Sequence, residues 1–159
     1  MKFLKTHYGR AINVIQDDSV NIPNPASLGM TGTANGDATN ELIDSSNPFT
    51  TNLLGAIVVN TTDNSIANVI GFIDSGRLLL DEDRFVSGDG YAIYNSDNNQ
   101  GCALYIPAQI PSSLKVLTVG GDVITFDNCG DENASSILPI NVLKVFKSET
   151  NLTDLIALW

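Results

Sequence analysis

Short apolar runs separated by turn-forming residues are the feature that most restricts the fold of this chain. Runs of roughly four to eight apolar and β-branched residues are bounded by Gly, Asn, Asp and Ser, which is typical of strands and the turns between them. Helical periodicity is scarce. The pattern therefore predicts an all-β protein: a small β-barrel or sandwich followed by a C-terminal module rich in β-hairpins, with an extended N-terminal arm.

The predicted strands form two series on either side of the polar run 95–101. This run contains no large apolar residue, so we expect it to be a linker. The sequence then predicts an arm and a mobile loop over 1–40, a small β-barrel over 41–94 and a C-terminal β module over 102–159. Gly120-Gly121 predicts a hairpin, because glycine tolerates the positive φ angles of tight turns. The final run, 152–159, fits a strand, although its apolar residues also have helical spacing.

The composition is acidic and rich in neutral polar residues. There are 18 Asp and Glu against 8 Lys and Arg, a formal net charge of -10, together with 25 Ser and Thr and 17 Asn. Clustered Lys and Arg are needed to bind phosphate backbones or anionic lipid, so we expect neither nucleic acid nor a membrane as a partner. We see neither the apolar core of a signal peptide nor a run of about 20 apolar residues, and we expect a soluble protein made in the cytoplasm.

No pattern of residues indicates catalysis or metal binding. The single histidine, His7, falls in the N-terminal arm, where no structured partner would hold it. Cys102 and Cys129 are too few for a metal cluster, and either two reduced thiols or one disulfide would fit them. The acidic run 81–83, with Asp89 nearby, is expected to be a solvated turn. We therefore expect no enzymatic activity, no catalytic residue, no metal and no cofactor.

Apolar residues at the two chain ends are the candidates for an interface. They either pack within the chain or contact a neighbouring subunit, since chain ends fray unless they are docked. Pro23 and Pro25 keep the segment before them extended, which suits a segment that lies across a surface. The candidate interface residues are Phe3, Leu4, Tyr8, Ile12, Ile22, Pro23, Pro25, Leu155, Leu158 and Trp159.

Three stretches of the chain resemble small structural proteins of tailed bacteriophages. They are the opening HYGRAINVIQDDSVNIPNP, the middle GAIVVNTTDNSIANVIGFIDSGRLLLDEDRFVSGDGYAIY, and the C-terminal LKVLTVGGDVITFDN with SSILPINVLKVF and TDLIALW. The middle stretch looks like the small β-barrel of that group. The chain departs from the expected pattern at Ala56, where an acidic residue would follow Gly55, and at the insertion CGDEN.

The resemblance implies a virion protein that acts by binding alone. The resemblance most directly implies a decoration (cement) protein on the outer surface of the phage head, with the major capsid protein as partner. A homo-oligomer, a trimer or a dimer, is also implied. The alternatives are a structural component of the tail or fibre base, and a glycan-binding module.

Overall fold

The computed structural model describes residues 8–96 and 101–159 and is all-β, as the sequence predicts. Two six-stranded antiparallel sheets account for the strands of these residues. Among these residues, helical structure is limited to short 3-10 turns, such as those at Pro25–Ser27 and Thr51–Leu53. The strands are β1 (Ala11–Asn13), β2 (Leu28–Thr33), β3 (Glu41–Ile43), β4 (Ile57–Asn60), β5 (Ile66–Asp74), β6 (Arg77–Leu80), β7 (Gly90–Tyr94), β8 (Cys102–Ile106), β9 (Ser112–Thr118), β10 (Val123–Cys129), β11 (Ser136–Val145) and β12 (Ile156–Leu158).

The chain divides into two compact units, each with one of the sheets. The inner unit consists of residues 26–99, and the outer unit consists of residues 1–25 together with 100–159. The inner unit is therefore inserted into the sequence of the outer one. The four regions expected from composition differ from this division, because residues before Pro25 pack on the C-terminal strands and residues after it join the 26–99 sheet.

The inner sheet has the strand order β2-β7-β4-β5-β6-β3. Its two ends meet where the backbone N–H of Asn35, just after β2, donates to the carbonyl of Ile43 in β3 at 2.9 Å. This contact gives the unit the character of a small barrel. Alternate residues of the strands point inward, and the core is made of side chains from this unit, among them Leu42, Val58 and Ile93, each fully buried.

The outer sheet has the strand order β1-β12-β8-β11-β9-β10. Its core is again formed by alternate residues, as in β8 and β9, where Leu104, Ile106, Leu114 and Val116 are buried. The last run of the chain forms the short strand β12, which agrees with the preferred prediction for 152–159. Gly121, at φ 90°, closes the β9–β10 hairpin where the sequence predicts it.

The described part of the N-terminal segment is integrated into the outer unit, which corrects the expectation of an arm. β1 pairs antiparallel with β12, and the N–H of Val14 donates to Leu155 O at 2.9 Å. Farther along, the N–H of Ile22 donates to Leu143 O at 2.8 Å, and the Ile22 side chain is only 5% exposed. Extended backbone with no local partner completes its hydrogen bonds on the nearest sheet, so this segment serves as a cover for the core.

The mobile loop expected at the end of the 1–40 region, from Met30 to Asn40, is not a loop in its first residues. The stretch 28–33 forms β2, which pairs with β7, although Gly and Thr alternate there without a clear apolar pattern. Gly32 lies opposite Tyr91, whose ring fills the space that a side chain at Gly32 would need. The strand is therefore stabilised by its neighbour more than by local propensity.

In the part of the chain described, no helix has the length and apolar character required to cross a bilayer.

Candidate interaction surface

The first described residues and the last residues of the chain, for which the sequence predicts either packing within the chain or contact with a neighbour, contact one another. Gly9 N–H donates to Trp159 O at 2.7 Å, and Trp159 N–H donates to Arg10 O at 3.0 Å. Ile12 and Trp159 are half-buried against the outer core, and Leu158 is half-buried beside Ala11. The expectation of packing within the chain therefore applies to these residues.

Other predicted interface residues are interior or lie outside the described residues. Ile22, Pro23 and Leu155 are buried in the outer unit, so their side chains are not on a surface of this chain. Pro25 is half-buried at the start of a 3-10 turn, and Tyr8 is 42% exposed. Phe3 and Leu4, like His7, lie outside the residues that the structure describes.

The sequence did not single out β10, which presents the most open edge of the outer sheet. β10 lies at the end of the strand order and, among the described strands, pairs with β9 alone. Val123 is 54% exposed and Ile124 is 38% exposed, although both are large apolar residues in a strand. The stretch Val123–Phe126 contains no charged residue and no proline. These are the properties of an edge that accepts a further strand.

Hydrogen bonding at the hairpin shows which backbone groups of β10 face the open edge. The N–H of Thr118 donates to Asp122 O at 2.9 Å, so this pair closes the hairpin as a bonded pair. Hydrogen-bonded and non-hydrogen-bonded pairs alternate along antiparallel strands. The backbone groups of Ile124 and Phe126, two and four residues after Asp122, therefore form hydrogen bonds with β9. The N–H and C=O groups of Val123 and Thr125 then point away from β9 and towards the edge.

The side chains on the core side of β10 show that the outer core is open there. Ile124 lies opposite Val116, and Phe126 lies opposite Leu114. Val116 and Leu114 are fully buried, whereas Phe126 is half-buried and Ile124 is exposed. The apolar face thus continues beyond the strand that covers it, and a neighbouring strand placed beside β10 would extend the covered surface.

Asp83 and Asp89 of the inner unit line a cavity of about 340 Å³ together with Asp37, Asp63 and Arg84. Carboxylates of the acidic run 81–83 and of Asp89 are engaged with the chain itself. Asp81 accepts hydrogen bonds from the backbone and side-chain nitrogens of Asn68, each at 2.7 Å, and Asp89 accepts one from the side chain of Asn60 at 2.8 Å. Glu82 pairs with Arg84. No group of three or more ligating side chains converges on a metal position within 8–96 and 101–159.

Both cysteines are free, and neither thiol is activated. Burial raises the pKa of Cys102 to about 12. Burial also raises the pKa of Cys129, against the opposing effect of a hydrogen bond from the backbone of Gly130. Since the thiolate is the reactive form, both cysteines are poor nucleophiles and serve as packing residues.

Only part of the signal for the β10 edge is present in the sequence. It predicts the strand and the hairpin, but the two adjacent apolar residues Val123 and Ile124 also fit a strand buried on both faces. Position at an edge depends on strand order, which is a property of the fold.

No family model matches the chain, and no curated protein or solved structure shows significant similarity to it.

Proposed function

We propose that this chain is a virion structural protein, a decoration protein that binds the outer face of a phage head and stabilises the shell. The observation that carries its adhesive role is the open β10 edge, because sheet edges recruit other chains by strand addition. The assignment to a phage head is supported by the resemblance of the middle and C-terminal stretches. The partner implied is the major capsid protein.

The charge distribution supports different roles for the two units, one facing solvent and one contacting other proteins. The inner unit has 2 basic and 10 acidic residues, a net charge of -8, whereas the outer unit has 6 basic and 8 acidic residues, a net charge of -2. A high net charge keeps surfaces solvated and resists association, so the inner unit suits a solvent-facing position. The nearly neutral outer unit, which contains β10, is the one suited to protein contacts.

Adhesion by such a protein depends on many modest contacts acting together. Each copy contributes a small edge, and fixed positions on a particle turn weak pairwise binding into firm attachment. Pairing between sheet edges requires no bond-making chemistry. The proposed function is therefore binding without catalysis.

Addition of the purified protein to heads that lack it tests this proposal. We expect co-sedimentation that saturates at a fixed number of copies per head, and release of the packaged DNA at a higher temperature. The Ile124→Lys variant should protect less than the wild type, and Ile137→Lys, which changes an exposed residue of β11 in the same sheet, should protect as well as the wild type. Absence of binding to heads, or presence of the protein only in purified tails, would exclude a decoration protein.

A further inference from the structure

We infer that the β10 edge binds a second copy of this chain, so that two outer sheets join across a two-fold axis at Thr125. The inference rests on the proposed function in that it names the partner at the same edge. In a particle, each copy would hold one shell subunit and the paired β10 strands would connect them. Three properties of the β10 edge support a second copy as its partner: its openness, its lack of charge and its self-complementarity.

β10 is the least protected edge among the described strands. The other end of the outer sheet is β1, a strand of only 3 residues, and the ends of the inner sheet meet at the Asn35–Ile43 hydrogen bond. Proteins shield edge strands with charges, prolines, bulges or short length. β10 has 7 residues, and its only bulge lies after Phe126, which leaves Val123–Phe126 regular and uncharged.

Charge favours this edge as the place where two copies meet. Two chains of formal charge -10 repel one another at most orientations, and most of that charge belongs to the inner unit. The uncharged stretch of β10 lies in the outer unit, so contact through it brings no like charges directly opposite one another. A second copy therefore meets less repulsion at β10 than at the acidic inner unit.

Antiparallel pairing about Thr125 is self-complementary. Thr125 lies opposite Thr125 of the second copy, and its outward-facing N–H and C=O groups form the central bonded pair. Val123 lies opposite Asp127, the first residue after the regular stretch. Ile124 then lies opposite Phe126 of the second copy, twice by symmetry, in the non-bonded positions where side chains approach most closely. Pairs of an aromatic and a β-branched residue are among the favourable cross-strand pairs.

Neighbouring registers fit less well. A shift towards the hairpin places Ile124 opposite Ile124 and Asp122 opposite Phe126, and a shift the other way places Ile124 opposite Asn128, so either shift removes both Ile–Phe pairs. With Thr125 on the axis, the two Asp127 residues are about 14 Å apart, beyond the Debye length of about 8 Å at physiological ionic strength. This register is therefore the one that forms both Ile–Phe pairs.

The predicted dimer is weak in solution, because a single pair of short strands buries less than the roughly 1,200 Å² of a stable interface. Sedimentation of the full chain over a range of concentrations should show a reversible monomer–dimer equilibrium. Ile124→Lys should lower the association constant about tenfold, since it removes both Ile–Phe pairs. The matched control is Ile137→Lys, which changes a residue 47% exposed in β11 of the same sheet and should leave association unchanged.

Cysteine cross-linking tests the register and does not depend on the lysine variant folding. In a Cys129→Ser background, Thr125→Cys should form a disulfide-linked dimer, because directly opposite residues lie within the span of a disulfide. Val123→Cys is the control: its two copies would be about 14 Å apart and should remain unlinked.

Three results would overturn the inference: a monomer at every concentration, association that Ile124→Lys leaves intact, or cross-linking through Val123→Cys but not Thr125→Cys. Growth into open-ended polymers would exclude the two-fold arrangement. A protein that binds heads but sediments as a monomer would contradict this inference alone, whereas a dimer that binds no heads would contradict the decoration proposal alone.

Discussion

At the residue scale, Asp44 is a buried carboxylate that connects a loop to the inner core. It accepts hydrogen bonds from the hydroxyl of Tyr91 at 2.7 Å and from the hydroxyl and backbone N–H of Ser46 at 2.6 and 2.9 Å. Burial alone would raise the pKa of Asp44, but the hydrogen bonds outweigh it and leave the pKa below the ordinary 3.8. Burial, together with the same pairing, raises the pKa of Tyr91, so its hydroxyl remains a donor.

Removing the Tyr91 hydroxyl should therefore destabilise the inner unit in a pH-dependent way. Because the folded pKa of Asp44 is lowered, its stabilising effect is present above pH 3.8 and is lost as the pH falls through the folded value. We expect Tyr91→Phe to lower the free energy of unfolding by about 1–3 kcal/mol at pH 7, and by less in acid. Urea unfolding at several pH values measures this, and an equal cost at every pH would contradict it.

Gly32 is a second residue whose identity is set by Tyr91. A Cβ at Gly32 would lie 2.3 Å from the hydroxyl oxygen and 2.4 Å from the ring carbon Cζ of Tyr91. Gly32→Ala should therefore displace the ring, break its bond to Asp44 and cost about 1–3 kcal/mol of stability. Gly9→Ala is the control, because nothing lies within 4 Å of a Cβ there. Thermal melting that shifts equally for both variants would show that the ring moves freely.

At the element scale, the segment from Ala11 to Pro25 is the part whose observed role differs most from the role predicted from the sequence. Its strand β1 is short, and its later residues have no regular structure, yet its backbone bonds to β12 and β11. Gln16 adds a side-chain bond to Leu152 O at 2.7 Å, and Val20 is 1% exposed. The segment is thus an integral cover of the outer core.

Ile22→Ala tests whether this cover carries stability. Ile22 is 5% exposed within the outer core, and truncating a buried isoleucine costs about 2–5 kcal/mol through lost burial and the cavity left behind. Ile110→Ala removes the same atoms from a residue that is 76% exposed, and should change the free energy of unfolding by less than about 0.5 kcal/mol. Chemical denaturation measures both. Equal, small effects would mean that the segment detaches from the core.

These elements also show how far the sequence could predict the fold. Periodicity and turn residues predict strands at Ile66–Ile73, Arg77–Leu80, Tyr91–Tyr94 and Leu114–Val119, close to the observed bounds of β5, β6, β7 and β9, because alternating burial leaves a local mark on the sequence. β2 leaves no such mark, since its stability comes from Tyr91 across the sheet. The pairing of β1 with β12 joins the two chain ends, and no local pattern records contacts between residues so far apart. The β10 edge escaped prediction for the same reason.

At the scale of the whole molecule, the inner unit has the organisation of an inserted domain. Its ends lie side by side: the N–H of Asn95 donates to Ser27 O at 2.8 Å, and Leu28 pairs with Tyr94. The core of this unit is drawn from residues between Ala34 and Ile93. Units with adjacent ends and their own core are the ones that tolerate insertion into another chain.

Residues 26–99 should therefore fold when expressed alone. We expect a cooperative unfolding transition and well-dispersed amide resonances, because the hydrogen bonds of β2 through β7 and their shared core are retained in the fragment. A fragment of this length is marginally stable, so the transition should fall at a low denaturant concentration. Leu78→Asp, which buries a charge at a position 0% exposed, should abolish the transition and serves as the unfolded reference. If the unmodified fragment gives the same spectrum as that variant, the inner unit depends on the outer one for its stability.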